Sequence, residues 1–142
     1  MGTTMKAHLL YPDDVAYVWE DVAPMLAQAS AHSEGELDSD DFLNSLAEGD
    51  MQLWVAYEEQ DINAAMVTQF IQYPQKKILR IISLAGEDFE KIRDFQDMLE
   101  AFAVKWGCAA IEMWGRKGWK KLLPDWKDSY TVYTKDLKYR LQ

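Results

Sequence analysis

Apolar and polar positions recur along the chain with two different periods, and these periods predict its secondary structure. Between Val15 and Ala29 the apolar residues are spaced three and four apart, which is typical of a helix with one buried face. Pro24 lies inside this pattern and predicts a kink or a split. Three apolar runs separated by short polar turns predict an antiparallel meander. The predicted elements, in order, are a strand over 6–11, a helix from Pro12, a loop over 30–38, a helix from Asp38 to Gly49, strands over 51–57, 62–73 and 77–84, a helix over 89–106, a strand over 108–114, a basic helix from Gly115 and a strand over 129–137.

The second half of this order predicts how the sheet is assembled. A strand, a long amphipathic helix and another apolar strand follow one another between Lys77 and Trp114. A connection of that length returns the chain to the same sheet as a parallel crossover. We therefore expect a mixed α/β (α+β) sheet in one domain over residues 1–142, in the order β-α-α-β-β-β-α-β-α-β. An apolar fraction of 49% in 142 residues is enough to form a core.

Charge is distributed unevenly. From Ala7 to Gln75 there are 14 acidic and no basic residues, and the net charge of the whole chain is -9. Such a surface repels phosphates, so we expect no nucleic acid on this half, whereas an amine or a basic protein would be attracted. The alternative is that these acids only solvate two helices.

The remaining composition narrows the chemistry. One cysteine, Cys108, excludes an intramolecular disulfide, and the two histidines, His8 and His32, disfavour a histidine-rich metal site. No apolar run is long enough to cross a membrane and the first residues lack the apolar core of a signal peptide. These features predict no metal, no membrane partner and a location in a reducing cytoplasm.

The order of elements resembles the GNAT acetyltransferase superfamily. The ending, with Gly115-Arg116-Lys117-Gly118-Trp119, a turn at Trp126 and a closing strand, is similar to small GNAT-like proteins of tailed phages. The resemblance implies a GNAT-like fold with a cleft near Ser83, Gly86 and Gly115. It also implies that backbone N–H groups of a glycine-rich loop hold the pyrophosphate of acetyl-CoA at the start of a helix.

The corresponding loop departs from that pattern. Gly86 is followed by Glu87, Asp88 and Glu90, which favour a helix start without a bound anion. We therefore expect no cofactor, with acetyl-CoA as the alternative. If an acyl-CoA binds, the resemblance assigns its contacts to these residues: Ser83, Leu84, Ala85, Gly86, Gly115, Arg116 and Lys117.

Catalytic groups are harder to find in the sequence. Leu122 falls near the place where the family often has a proton-donating tyrosine. Tyr130 or Tyr133 could replace it, although strand tyrosines usually serve packing. Glu58 and Glu59 are candidates for the base that deprotonates an amine, although acids in a hairpin turn are usually only solvated.

Three hypotheses for function follow. The first is a phage-type GNAT-like protein that has lost acetyl-CoA chemistry and acts as a binding, accessory or virion-associated component, in the host cytoplasm or on the particle, with a host or virion protein as partner. The alternatives are an acetyl-CoA-dependent N-acetyltransferase for an amine or lysine-rich substrate, and an acidic inhibitor of a basic host protein. Fold alone does not decide among them.

Overall fold

The computed structural model describes residues 6–30, 37–86, 92–114, 123–128 and 132–137. Within these ranges, five strands and three helices follow the predicted order closely. Their bounds are β1 Lys6–Leu10, α1 Pro12–Ser30, α2 Ser39–Glu48, β2 Gln52–Glu58, β3 Asp61–Gln72, β4 Lys77–Gly86, α3 Ile92–Lys105 and β5 Ala110–Met113.

The five strands form one sheet in their sequence order. β1 to β4 are antiparallel neighbours, whereas β5 lies parallel to β4. The chain reaches β5 through α3, because a parallel neighbour requires a long connection. The predicted mixed α/β sheet is thus confirmed.

Helices cover both faces of the sheet. α1 and α2 bury Val22, Leu26, Phe42 and Leu46 on one face. On the other face α3 buries Phe95, Leu99 and Ala103 against strand residues that include Trp54. Since helices cover both faces, β2 and β3 read as near-continuous apolar runs in the sequence.

The ends of α2 follow from its sequence. The carboxylate of Asp38 accepts a hydrogen bond from the backbone N–H of Asp41, and the Asp41 carboxylate accepts one from the backbone N–H of Asp38. This capping box satisfies two donors that a helix start leaves free. At the other end Gly49 has φ 84°, a left-handed conformation that costs glycine little.

Of the two alternatives predicted at Pro24, a split is excluded, because α1 runs without a break from Pro12 to Ser30. Pro24 lies on the exposed side, where solvent can satisfy the carbonyl that loses its partner. The predicted last strand is not formed over residues 132–137, which are exposed throughout; Val132 is 61% exposed and Tyr133 92%. Alternation favours a strand only where a sheet edge pairs with it. Residues 129–131 and the predicted basic helix over 115–122 lie outside the described residues.

Gly86 ends β4 in a place that has no room for a side chain. Its φ is +139°, and a Cβ there would lie 2.4 Å from the carbonyl oxygen of Asn63 and 2.8 Å from Cα of Ala64. The glycine therefore allows the end of β4 to approach β3 closely. Gly107 also has a positive φ, +77°, but nothing lies within 4 Å of a Cβ placed on it.

We predict that Gly86→Ala lowers the free energy of unfolding more than Gly107→Ala does. Both variants strain a left-handed backbone, but only the first adds a steric clash with backbone atoms, worth about 1–3 kcal/mol. Urea denaturation of the two variants measures the difference. Equal losses of stability would contradict the close approach of β4 to β3.

Candidate functional site

β4 and β5 pair over only four residues, because β5 ends at Met113. Their register runs from Ile78 opposite Ala110 to Ile81 opposite Met113. β4 continues to Gly86, and no other described strand pairs with it on the β5 side. Its segment from Ile82 to Gly86 is a free sheet edge of about 16 Å, at about 3.3 Å per residue. Such an edge presents backbone N–H and C=O groups to a ligand.

A β-bulge lies just beyond the last residues that pair β4 with β5. Ile81 lies opposite Thr68 and Ser83 opposite Val67, so Ile82 is an extra residue on β4. A bulge bends its strand and increases the local twist. The space beside the unpaired edge of β4, beyond the end of β5, is called the cleft below.

An ion-pair network joins the two strands just before the cleft. The Arg80 guanidinium donates from Nε to Oε1 of Glu112 at 2.9 Å, and its Nη2 lies 2.8 Å from the same oxygen. Nη2 also donates to the hydroxyl of Tyr73 at 2.9 Å. Trp114 donates from Nε1 to Glu112 Oε1, and its ring lies 4.5 Å from the guanidinium carbon.

This network can act in two ways. By joining residues that face each other across β4 and β5, it stabilises the last paired residues of the two strands, beyond which β4 continues alone on this side. In addition, these contacts all reach Oε1 of Glu112, so among the described residues Oε2 stays available to bind an amine. Glu112 is thus a candidate substrate-binding carboxylate at the mouth of the cleft.

The sequence carries a partial signal for the Arg80–Glu112 pair. Arg80 lies inside the apolar run 78–84 and Glu112 inside the apolar run 108–114, and each is the charged residue of its run. Opposite charges on neighbouring strands often pair. Without the register of β4 against β5, however, nothing in the sequence places them opposite each other.

The predicted cofactor contacts fall partly within the cleft. Ser83, Leu84, Ala85 and Gly86 form the free segment of β4, with Ser83 half-buried and Ala85 buried. Gly115, Arg116 and Lys117 lie outside the described residues.

The candidate catalytic residues are scattered. Glu58 ends β2 and accepts a hydrogen bond from Nδ2 of Asn63 at 2.6 Å. Glu59 is exposed in the β2–β3 turn with φ 60°. Because Gly86 lies opposite Ala64, this turn and the cleft are at the same end of the sheet. Tyr133 is exposed outside any strand, and Tyr130 lies outside the described residues.

Cys108 lacks the environment of a nucleophile. Loss of hydration raises the pKa of its thiol, and the nearby positive charge of Lys77 only partly opposes that effect. Among the described residues no group of three or more His, Cys, Asp or Glu side chains is placed to hold a metal ion. No helix in the described part of the chain is long and apolar enough to span a membrane.

Comparison with known proteins identifies the fold. No family model matches the sequence, and no curated protein matches it. Solved structures match over almost the whole chain. An aminoglycoside acetyltransferase, HMB0005, from an uncultured soil metagenomic sample has a TM-score of 0.71 at 14% identity, covering 96% of this chain and 99% of its own.

Two further structures agree with this match. A GCN5-related N-acetyltransferase from Ralstonia eutropha JMP134 has a TM-score of 0.69 at 19% identity, covering 94% of this chain and 99% of its own. A predicted acetyltransferase from Clostridium acetobutylicum, solved with acetyl-CoA, has a TM-score of 0.66 at 17% identity, covering 95% and 96%. The chain therefore has the fold of GNAT acetyltransferases. Because the sequence identities are this low, the comparison establishes the fold alone.

We predict that Arg80 and Glu112 stabilise the fold jointly. A double-mutant cycle of Arg80→Met and Glu112→Gln should give a coupling free energy of about 1 kcal/mol, since the side chains are 18% and 32% exposed. Added salt should reduce this coupling free energy, because ions screen the charges of the pair. The control cycle pairs Arg80→Met with Asp97→Asn, an exposed acid on α3, and should give additive losses. Coupling of the same size in both cycles would show that Arg80 and Glu112 do not stabilise the fold as a pair.

Proposed function

We propose that the chain is an acetyl-CoA-dependent N-acetyltransferase that holds the thioester in the cleft between β4 and β5 and transfers the acetyl group to an amine. One observation carries the proposal: β4 extends from Ile82 to Gly86 beyond its last pair with β5. The likeness to acetyltransferase folds, one of them solved with acetyl-CoA, supports it.

The free edge of β4 fits the extended part of such a donor. The pantetheine arm of acetyl-CoA is a thin chain with two amide groups, and a strand edge binds amides through alternating N–H and C=O groups. Ser83 lies half-buried beside this edge, on the sheet face covered by α1 and α2. There its hydroxyl can donate a hydrogen bond to the oxygen of a thioester. The loop that would meet the phosphates lies outside the described residues.

The charge of the chain favours a cationic acceptor. Asp13, Asp14, Glu20 and Asp21 are exposed along α1, on the same side of the sheet as Arg80 and Glu112. Acidic surfaces raise the local concentration of cations, including protonated amines. Glu112 Oε2 would then orient the amine at the cleft.

Glu87, Asp88 and Glu90 affect only one part of the donor. These acids follow the β4 edge in sequence and repel phosphate groups, but not the uncharged pantetheine arm. The degenerate and virion-associated hypothesis, which was based on these acids and on Leu122 in the place of a tyrosine, receives no support from the comparisons. The acetyltransferase alternative explains the cleft as well as the fold.

We predict that the purified protein binds acetyl-CoA with a dissociation constant in the micromolar range, about 8 kcal/mol of binding free energy. Calorimetric titration measures this directly, and thiol release in the presence of a diamine such as putrescine measures transfer. S-acetylpantetheine carries the thioester but no phosphates. If Glu87, Asp88 and Glu90 repel the phosphates of acetyl-CoA, S-acetylpantetheine should bind at least as tightly, and the difference in affinity between the two donors should become smaller in high salt. Absence of heat with both donors up to millimolar concentration would overturn the proposal.

A pair of variants tests where the donor binds. Ser83→Trp places an indole beside the free edge and should abolish binding. Val104→Trp adds the same bulk on α3, where Val104 is 75% exposed, and should leave binding unchanged. Melting curves of both variants report whether each is folded. Unchanged affinity in a folded Ser83→Trp variant would place the donor elsewhere.

A further inference from the structure

An apolar cavity lies at the opposite end of the sheet from the cleft. It has a volume of about 200 Å³ and is bordered by the end of β1, the starts of α1 and β2, and the ends of α2, β3 and α3. Its walls are almost entirely apolar, and the rings of Phe70, Phe102 and Trp106 form one side. An apolar cavity of about 150 Å³ is large enough to bind benzene.

One polar side chain in the wall of this cavity, that of Gln52, is held in place by hydrogen bonds from the core. Trp54, 1% exposed, donates from Nε1 to the hydroxyl of Thr68 at 3.0 Å. That hydroxyl, on a fully buried residue, donates to Oε1 of Gln52 at 2.9 Å, and Gln52 lines the cavity. The three side chains form a relay from the core to the cavity.

The relay also decides which way the Gln52 amide is turned. An indole N–H can only donate, so Thr68 accepts from Trp54 and must direct its own hydrogen to another acceptor. The amide oxygen of Gln52 is that acceptor, because a flipped amide would leave the buried hydroxyl hydrogen without a partner. The orientation of Gln52 is therefore fixed by a buried group.

The amide nitrogen of Gln52 is left for a ligand. No described residue accepts a hydrogen bond from Nε2. Among the described residues no fully buried side-chain nitrogen lacks a partner, so this atom is reached by solvent. A preoriented N–H donor at an apolar wall selects molecules that are mostly apolar and carry one acceptor.

We propose that this cavity is a binding site for a small, uncharged aromatic carbonyl compound, with its ring against Phe70, Phe102 and Trp106 and its oxygen accepting from Nε2 of Gln52. The cavity volume suits one ring with a short substituent. Tyr11, 72% exposed, and Trp106, 51% exposed, border its opening and leave it accessible. The proposal does not depend on acyl transfer in the cleft.

Two ligands of nearly the same shape test the role of the amide. Acetophenone and α-methylstyrene differ only in carrying C=O or C=CH₂, so the difference in their affinities isolates the hydrogen bond. We expect acetophenone to bind up to about tenfold more tightly to the native protein. The ¹H–¹⁵N side-chain signals of Gln52, assigned by their loss in the variant below, should shift with acetophenone and much less with α-methylstyrene.

A matched pair of variants tests the residue. Gln52→Glu keeps an acceptor for Thr68 but replaces the N–H donors by a carboxylate oxygen, so the preference for acetophenone should disappear. Gln60→Glu makes the same change in charge in the exposed β2–β3 turn and should preserve the preference. Equal affinity of the native protein for the two ligands, no saturable binding of either, or a preference that survives in folded Gln52→Glu would each overturn the proposal.

Discussion

The structure depends on the unequal pairing of β4 with its two neighbours. β4 pairs with β3 as far as Gly86 but with β5 only as far as Ile81. The five residues from Ile82 to Gly86 therefore have no described partner on the β5 side, and this unpaired edge borders the cleft. The bulge at Ile82 bends β4 and increases its twist where the unpaired segment begins. Arg80 and Glu112 join β4 and β5 just before that point, which gives the cleft a defined starting point.

Much of the fold could be predicted because its signals are local. Periodicity identified every described helix and strand, and the length of the segment between β4 and β5 implied their parallel arrangement. Asp38 and Gly49, predicted as the start and the end of the second helix, directly flank α2 in the structure. The missing strand at 132–137 has a different cause, because strand pairing depends on whether a sheet edge lies beside the segment. Local alternation gives no information about that neighbour.

The candidate site could be predicted only in part, for the same reason. The sequence places Ser83 to Gly86 at the end of an apolar strand, where sites in open sheets form, and in the structure they form the end of β4. Their role in binding stays a prediction. The Arg80–Glu112 pair joins residues 32 apart in sequence, and the contact between Gln52 and Thr68 joins residues 16 apart. Both need the strand register, which a sequence pattern restricts but does not fix. Glu58 and Glu59 were candidate bases because they are acidic. Whether either can deprotonate an amine depends on the distance from its carboxylate to the bound amine, which the sequence does not give.

The cleft and the apolar cavity share one row of the sheet, and this ties their geometries together. Gln52 pairs with Thr68, Thr68 with Ile81, and Ile81 with Met113. This row of paired residues therefore begins at Gln52, whose amide lines the cavity, and ends at Met113, the last residue of β5 that pairs with β4 before the cleft. Successive side chains of a strand point to opposite faces, so a shift of β3 by one residue would remove Thr68 from Trp54 and would also move the bulge. The buried hydroxyl of Thr68 opposes such a shift, because either neighbour would lose its hydrogen bond in the interior. One small polar side chain in the middle of the sheet thus helps to hold both candidate sites in register.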